Sequence, residues 1–221
     1  MLDLSHNQIT SAGFLKIMSR LKKSPAITSL NFSGNDLSED QDRFTSVDKF
    51  LSRNQSCTLL TLTGCKLQTG SMAFIAGGLS RNTTLERLIL SENMFRERES
   101  MQHFVTSLIE NPESKLREVD LSKNQMSTET IMPFIELLEE NVKIRHINLR
   151  HNVITDEGAK LLVQAIVNNE YVTKLLLDMN PIRHSILADI EKHTTKNMLK
   201  VSEQEVPQMI EEILDVKKKT A

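Results

Sequence analysis

LREVDLSKN, residues 116–124, decides the fold. Val119 and Leu121 stand two apart, so on an extended chain both face one side while Asp120, between them, faces the other. Asn124 closes the segment, and the apolar Met126 follows two residues later. The same arrangement recurs in LDLSHN (2–7), ITSLNFSGN (27–35), CTLLTLTGC (57–65), LERLILSEN (85–93), IRHINLRHN (144–152) and VTKLLLDMN (172–180). The closing positions Asn7, Asn35, Cys65, Asn93, Asn124, Asn152 and Asn180 are separated by 28, 30, 28, 31, 28 and 28 residues. Two residues after each stands Ile9, Leu37, Leu67, Phe95, Met126, Ile154 or Ile182. Chance does not sustain such a pattern from one end of a chain to the other.

Each segment reads as a short strand, and the asparagine after it can satisfy backbone groups where the chain turns away. A thiol does this only weakly, so Cys65 is expected as a buried structural variant of the ladder and Cys57 as a small core hydrophobe. The second halves switch to a period near 3.6. In EGAKLLVQAIVNN (157–169), Ala159, Leu161, Leu162, Ala165 and Ile166 make one helical stripe, with Asp156 as the expected N-cap. SAGFLKIMSRL (11–21), QTGSMAFIAGGLSRN (68–82) and ETIMPFIELLEEN (129–141) read likewise. One strand and one helix cannot bury their own apolar faces, whereas a stack of seven pairs can. The expected fold is therefore an α/β solenoid of about seven repeats, with a parallel β-sheet on the concave face and α-helices on the convex face.

The full pattern, LxxLxLxx[N/C]xL, resembles the leucine-rich repeat signature. Over about 1–199 the chain is similar to that superfamily, and its period and helical second halves resemble the ribonuclease-inhibitor-like branch. That branch includes ribonuclease inhibitors, the Ran GTPase-activating proteins, the sensing domains of NOD-like receptors, the tropomodulin and CARMIL actin regulators, and many ciliary proteins. The resemblance implies a horseshoe-shaped solenoid and a binding surface for protein. A fold does not carry one function with it, so the surface residues must supply the rest.

At the N-terminus Met1 precedes LDLSHN directly, and the first repeat lacks the opening half of its strand. Its edge is expected to be covered, either by a preceding segment of a longer protein or by another chain. At the C-terminus PIRHSILADIEKHTTKN (181–197) keeps a helical stripe of Ile186 and Ile190. It ends on Asn197, in phase with Asn54, Asn82, Asn141 and Asn169. This last repeat resembles those of cytoskeletal and ciliary members. Beyond it, VPQMIEEILDVKKK (206–219) places Val206, Met209, Ile210, Ile213 and Leu214 on one face. The expected division is a solenoid over 1–199 and, over 200–221, a helix that caps the last repeat or docks on a partner, followed by a basic tail at Lys217–Lys219.

A net charge of −2 gives no overall attraction to nucleic acid, and no segment reads as a membrane span or secretory leader. Two cysteines in one strand segment point to a reducing compartment, so the location expected is cytoplasmic, with a cytoskeletal or ciliary assembly favoured. There is no phosphate-binding glycine loop and no C-x-x-C, and no serine stands in a nucleophile-elbow context. His146 and His151 are five apart, and two imidazoles do not make a zinc site. No catalytic, cofactor or metal residue is assigned.

Strand alternation assigns the outward residues instead. Between the paired apolar positions lie Asp3, Asn31, Thr61, Ile89, Asp120, Asn148 and Leu176. Flanking them are Ser29 and Ser33, Leu59 and Thr63, Arg87 and Ser91, Glu118 and Ser122, His146 and Arg150, and Lys174 and Asp178. Leu59, Ile89 and Leu176 are apolar where solvent is expected. An apolar centre ringed by Arg87, Glu118, Asp120 and Arg150 suits a protein partner better than a polyanion, and Glu118, Asp120 and Arg150 are candidates to pair across strands. Two charge-rich stretches, 38–50 and 95–104, mark insertions after Asn35 and Asn93, and Arg96–Glu99 reads as a solvated rim. The leading expectation is a protein-interaction scaffold without catalysis. The alternatives are a GTPase regulator similar to the Ran activators, though this chain ends EEILDVKKKTA where those carry an acidic tail, a fragment of an innate-immune sensor, and an inhibitor like the cysteine-rich ribonuclease inhibitors.

Overall fold

The computed structural model describes residues 1–39, 44–140 and 142–219, with side chains described through residue 202. Asn141, residues 40–43 of the 38–50 stretch, and the side chains of 206–219 that sequence analysis singled out lie outside the described residues.

Seven strands, β1 (Leu2–Asp3), β2 (Ser29–Asn31), β3 (Leu59–Thr61), β4 (Arg87–Ile89), β5 (Glu118–Asp120), β6 (His146–Asn148) and β7 (Lys174–Leu176), form one parallel sheet in chain order. Between them run α1 (Ser11–Leu21), α2 (Thr45–Leu51), α3 (Thr69–Leu79), α4 (Arg98–Ile109), α5 (Thr128–Ile131), α6 (Pro133–Glu139) and α7 (Asp156–Ile166), and α8 (His184–Lys219) follows β7. Register follows the repeat, as in Leu88 opposite Val119 and Val119 opposite Ile147. The paired apolar positions are the core: Leu60, Leu62, Leu88, Leu90, Val119, Leu121 and Leu149 have no exposed surface. Phe14 packs edge-on against Phe32 with ring centroids 4.7 Å apart, so α1 is locked to the strand of the next repeat.

Two asparagine ladders hold the turns. At the strand ends, Asn93 donates to the carbonyls of Leu62 and Leu90 and accepts the amides of Cys65 and Leu67. Asn35, Asn124, Asn152 and Asn180 bridge neighbouring repeats in similar ways. Asn7, in the first repeat, is exposed, and its side-chain amide donates to the Ser5 carbonyl. Cys65 donates its thiol to the Phe32 carbonyl, while its own carbonyl accepts the Leu37 amide, a bond that an asparagine side chain makes in other repeats. At the helix ends, Asn54, Asn82, Asn111 and Asn169 donate to the carbonyls of Leu21, Leu51, Leu79 and Leu138 one repeat earlier.

Asn111 also relocates an insertion. Asn82 and Asn93 are 11 residues apart but Asn111 and Asn124 are 13 apart, so most of the added length expected after Asn93 falls at Pro112–Ser114, where a loop can widen without disturbing helix packing. Arg96, Glu97, Arg98 and Glu99 are exposed.

Three further expectations change. The helix expected over 129–141 is broken into α5 and α6, because Pro133 has no amide to continue α5 and suits the first turn of a new helix. The N-cap of α7 is Thr155, and Asp156 sits in the first turn, where its carboxylate binds the Arg183 guanidinium and backbone amide. Lastly, α8 runs unbroken from His184 to Lys219, so the expected boundary at 199/200 lies inside a helix. At about 1.5 Å per residue, a 36-residue helix is about 54 Å long.

The turn after each strand needs a left-handed residue immediately before the ladder position. His6, Gly34, Gly64, Glu92, Lys123, His151 and Met179 all supply φ between 53° and 69°. Gly78 answers a different need: a Cβ there would lie 2.6 Å from Leu51 Cβ, so its absence lets α3 lie close on α2.

Candidate protein-recognition surface

The pleat that buries Leu88 and Leu90 turns Arg87, Ile89 and Ser91 to the open face of the sheet, and register lines the strand residues among them into two rows. The first runs Ser29, Leu59, Arg87, Glu118, His146, Lys174. The second row runs Asp3, Asn31, Thr61, Ile89, Asp120, Asn148, Leu176.

Polar members of the second row are mostly engaged, with one another or with a serine two residues on. Asn31 donates to Asp3 at 3.1 Å and accepts the Ser33 amide and hydroxyl. Asp120 accepts the Ser122 amide and hydroxyl at 2.8 and 2.6 Å and the Asn148 side-chain amide at 2.8 Å. Arg150 reaches forward to Asp178, the residue at the same position one repeat on, Nε to Oδ2 2.8 Å, rather than back to Glu118 or Asp120. Such an exposed pair contributes at most about 1 kcal/mol.

The three outward aliphatics do not form one centre. Thr61 lies opposite Ile89, and Leu59 opposite Arg87, so Leu59, Thr61 and Ile89 make a small half-buried patch on β3 and β4. Leu176 is three strands from Ile89, about 14 Å at about 4.8 Å per strand, with Asp120 and Asn148 between them. Arg87 flanks the patch on β4 itself, opposite Leu59, and Asp120 flanks it on β5, opposite Ile89.

His146 is half-buried between Glu118 and Lys174. Burial, aided by Lys174, lowers its pKa from the ordinary value, with Glu118 opposing. Burial pushes the Cys57 thiol up to about 11 and the Cys65 thiol up to about 12, and both are free. Among the described residues no group of three or more His, Cys, Asp or Glu side chains could hold a metal ion. No helix among them is long and apolar enough to cross a membrane.

Sequence reasoning missed Asn111, whose phase was shifted by an added residue before it, and the Thr63–Ser91 hydroxyl pair at 3.0 Å. It also missed a groove of about 370 Å³ between β7 and α8, which no linear pattern marks.

The family model for the Leucine Rich repeat matches residues 2–18 and 140–163. Protein CARMIL of Dictyostelium discoideum is 24% identical over 181 residues, 80% of this chain and 17% of that protein. The NACHT, LRR and PYD domains-containing protein 4C of Mus musculus is 29% identical over 148 residues, 66% of this chain and 14% of that protein. The chain therefore spans less than a fifth of the length of these curated relatives. The solved structure of Leiomodin-1 Actin-Binding Site 2 is similar in fold, with a TM-score of 0.55 at 13% identity over 89% of this chain and 94% of that one. The repeat signature, the single parallel sheet in chain order and these matches agree on a leucine-rich repeat fold.

Proposed function

We propose that this chain is a protein-interaction scaffold without catalysis, which holds a cytoskeletal partner on the concave face of its sheet. The observation that supports this reading is the Leu59–Thr61–Ile89 patch on β3 and β4, with Arg87 at its border on β4 and Asp120 beside it on β5. Apolar side chains at the centre and charges at the rim are the arrangement by which protein interfaces exclude water around a few anchoring contacts. The remaining outward residues, Asn31, Glu118, His146, Asn148, Arg150, Lys174 and Leu176, would form the rim. Leu2, Leu4 and Ile9, only half-buried on the β1 edge, would be covered by a preceding repeat or another chain. The cytoskeletal assignment rests on the likeness in fold to an actin-binding site of leiomodin and on the match to CARMIL. A ciliary assembly is the narrower form of the same reading.

The test is co-sedimentation of the purified chain with actin filaments and, separately, with microtubules, comparing wild type with Ile89→Asp. Pelleting with one filament type that Ile89→Asp abolishes, at unchanged circular dichroism, supports both the partner class and the face. Absence of pelleting with either rejects the cytoskeletal assignment, and equal pelleting of both forms rejects the face. A second reading, part of the sensing region of a NACHT protein, is favoured by the 29% identity to the mouse protein and would gain from binding of a non-cytoskeletal ligand at the same patch.

A further inference from the structure

We infer that the open edge of β7, beneath α8, is a docking site for an extended peptide that joins the sheet as an eighth parallel strand, bearing an acidic residue opposite Lys174 and two inward apolar residues.

Each internal strand passes the same main-chain bonds to the next. The amides of Leu149 and His151 donate to the carbonyls of Leu176 and Asp178, and the amides of Thr173 and Lys174 donate to the Arg145 carbonyl. The equivalent groups of β7 are the Leu177 and Met179 amides and the Thr173 carbonyl, and among the described residues none of them has a hydrogen-bonding partner. An exposed strand edge of this kind is a template for a further strand unless it is covered or blunted. The described side chains of α8, which end at Ser202, leave it open, and the space between them is a groove of about 370 Å³ whose lining includes Leu175, Leu177, Leu187, Ile190 and Met198. That volume lies within the range of about 300–1,000 Å³ in which ligands bind. Met198 stays 46% exposed at its mouth.

Continuity with the interfaces already built into the sheet sets the chemistry of the occupant. Its two inward side chains would stack on Leu175 and Leu177, as those stack on Ile147 and Leu149. Its outward charge is set by the first row, where Glu118 sits between Arg87 and His146. Lys174 ends that row with no ion pair to any described residue. An acid is the residue that completes it. The occupant is thus a parallel strand of pattern acid–apolar–x–apolar, held by main-chain bonds and sorted by side chains, the mode known as β-strand addition.

The chain's own β5 segment has this pattern in Glu118, Val119 and Leu121, so the probe is the capped peptide LREVDLSKN, residues 116–124. Its binding to the full chain is read by fluorescence anisotropy, with circular dichroism confirming that Lys174→Glu is folded. Expected are saturable binding, loss of binding when the peptide's central amides are N-methylated, weakening by about fivefold or more on Lys174→Glu, and recovery when the peptide carries Glu118→Lys. The inference is overturned by no binding at about 1 mM peptide, by binding that neither change affects, or by binding that Ile89→Asp removes. Concentration-dependent self-association that Lys174→Glu relieves would assign the edge to a second copy and equally overturn the peptide as occupant. Binding that Ile89→Asp removes would instead assign the peptide to the concave patch, whereas failure of actin or microtubule pelleting leaves the β7 edge untouched, so the two readings fail separately.

Discussion

Asn152 accepts the main-chain amide of Asn124 on its Oδ1 at 2.9 Å, 28 residues along the chain. The same oxygen takes the Met126 amide, and the Asn152 side-chain amide reaches the carbonyls of Leu121 and Leu149. One side chain therefore serves buried backbone groups of two repeats.

Asn152→Ala is expected to destabilise the protein by about 3 kcal/mol or more, since each buried backbone group left without a partner costs about 1–3 kcal/mol. Asn7→Ala, at the exposed start of the same ladder, should change stability by under about 0.5 kcal/mol. Urea unfolding of both variants against wild type checks the contrast, and equal midpoints would remove the ladder from the account of stability.

Leu90 is fully buried between sheet and helices, while its neighbour Ser91 faces outward and shares a hydrogen bond with Thr63. Leu90→Ala should cost about 2–5 kcal/mol through lost burial and the cavity left behind. Ser91→Ala should cost about 1 kcal/mol or less. Thermal melts of the pair read the difference.

His151 holds φ at 53° in the turn before Asn152, a conformation costing an L-residue about 1–2 kcal/mol. Glycine relieves this but loses about 0.5–1 kcal/mol in unfolded-chain entropy. His151→Gly is thus expected to stabilise the chain by about 0.5–1 kcal/mol, seen as a higher urea midpoint at unchanged slope. A lower midpoint would mean that the imidazole makes a compensating contact.

Both thiols are pushed far above the ordinary cysteine range by burial, Cys57 to about 11 and Cys65 to about 12. The thiolate is the reactive form, so iodoacetamide at pH 8 should label neither in the native protein and both together when urea unfolds it. Mass spectrometry across the unfolding transition checks this, and native labelling of Cys65 would show that the second and third repeats open locally.

His146 has its folded pKa lowered, first by burial and then by Lys174. A lowered folded value means that the native state binds the proton less readily than the unfolded chain. Its contribution to stability is therefore complete above the unfolded value near 6.5 and is lost as pH falls below it towards the folded value. The melting temperature of wild type should fall between pH 7.5 and 5.5 by more than that of His146→Gln. Parallel behaviour of the two proteins would assign the pH dependence to other groups.

The order and count of the strands, their buried faces and the asparagine turns were legible in the sequence, because these follow from local periodicity: spacing of two selects the buried side of a strand, and a period near 28 stacks like upon like. Leu88, Leu90 and Asn93 could be placed from their neighbours in the chain alone. What a side chain touches across repeats was not legible, because that depends on competition among groups about 28 residues apart. Arg150 pairs with Asp178, while Asp120 is engaged by Ser122 and Asn148. Tertiary structure likewise separated Leu176 from Ile89 by two polar strands and drew 184–219 into one helix. It left a groove between the β7 edge and that helix, since how closely a helix packs on the strand before it depends on contacts that no linear pattern marks.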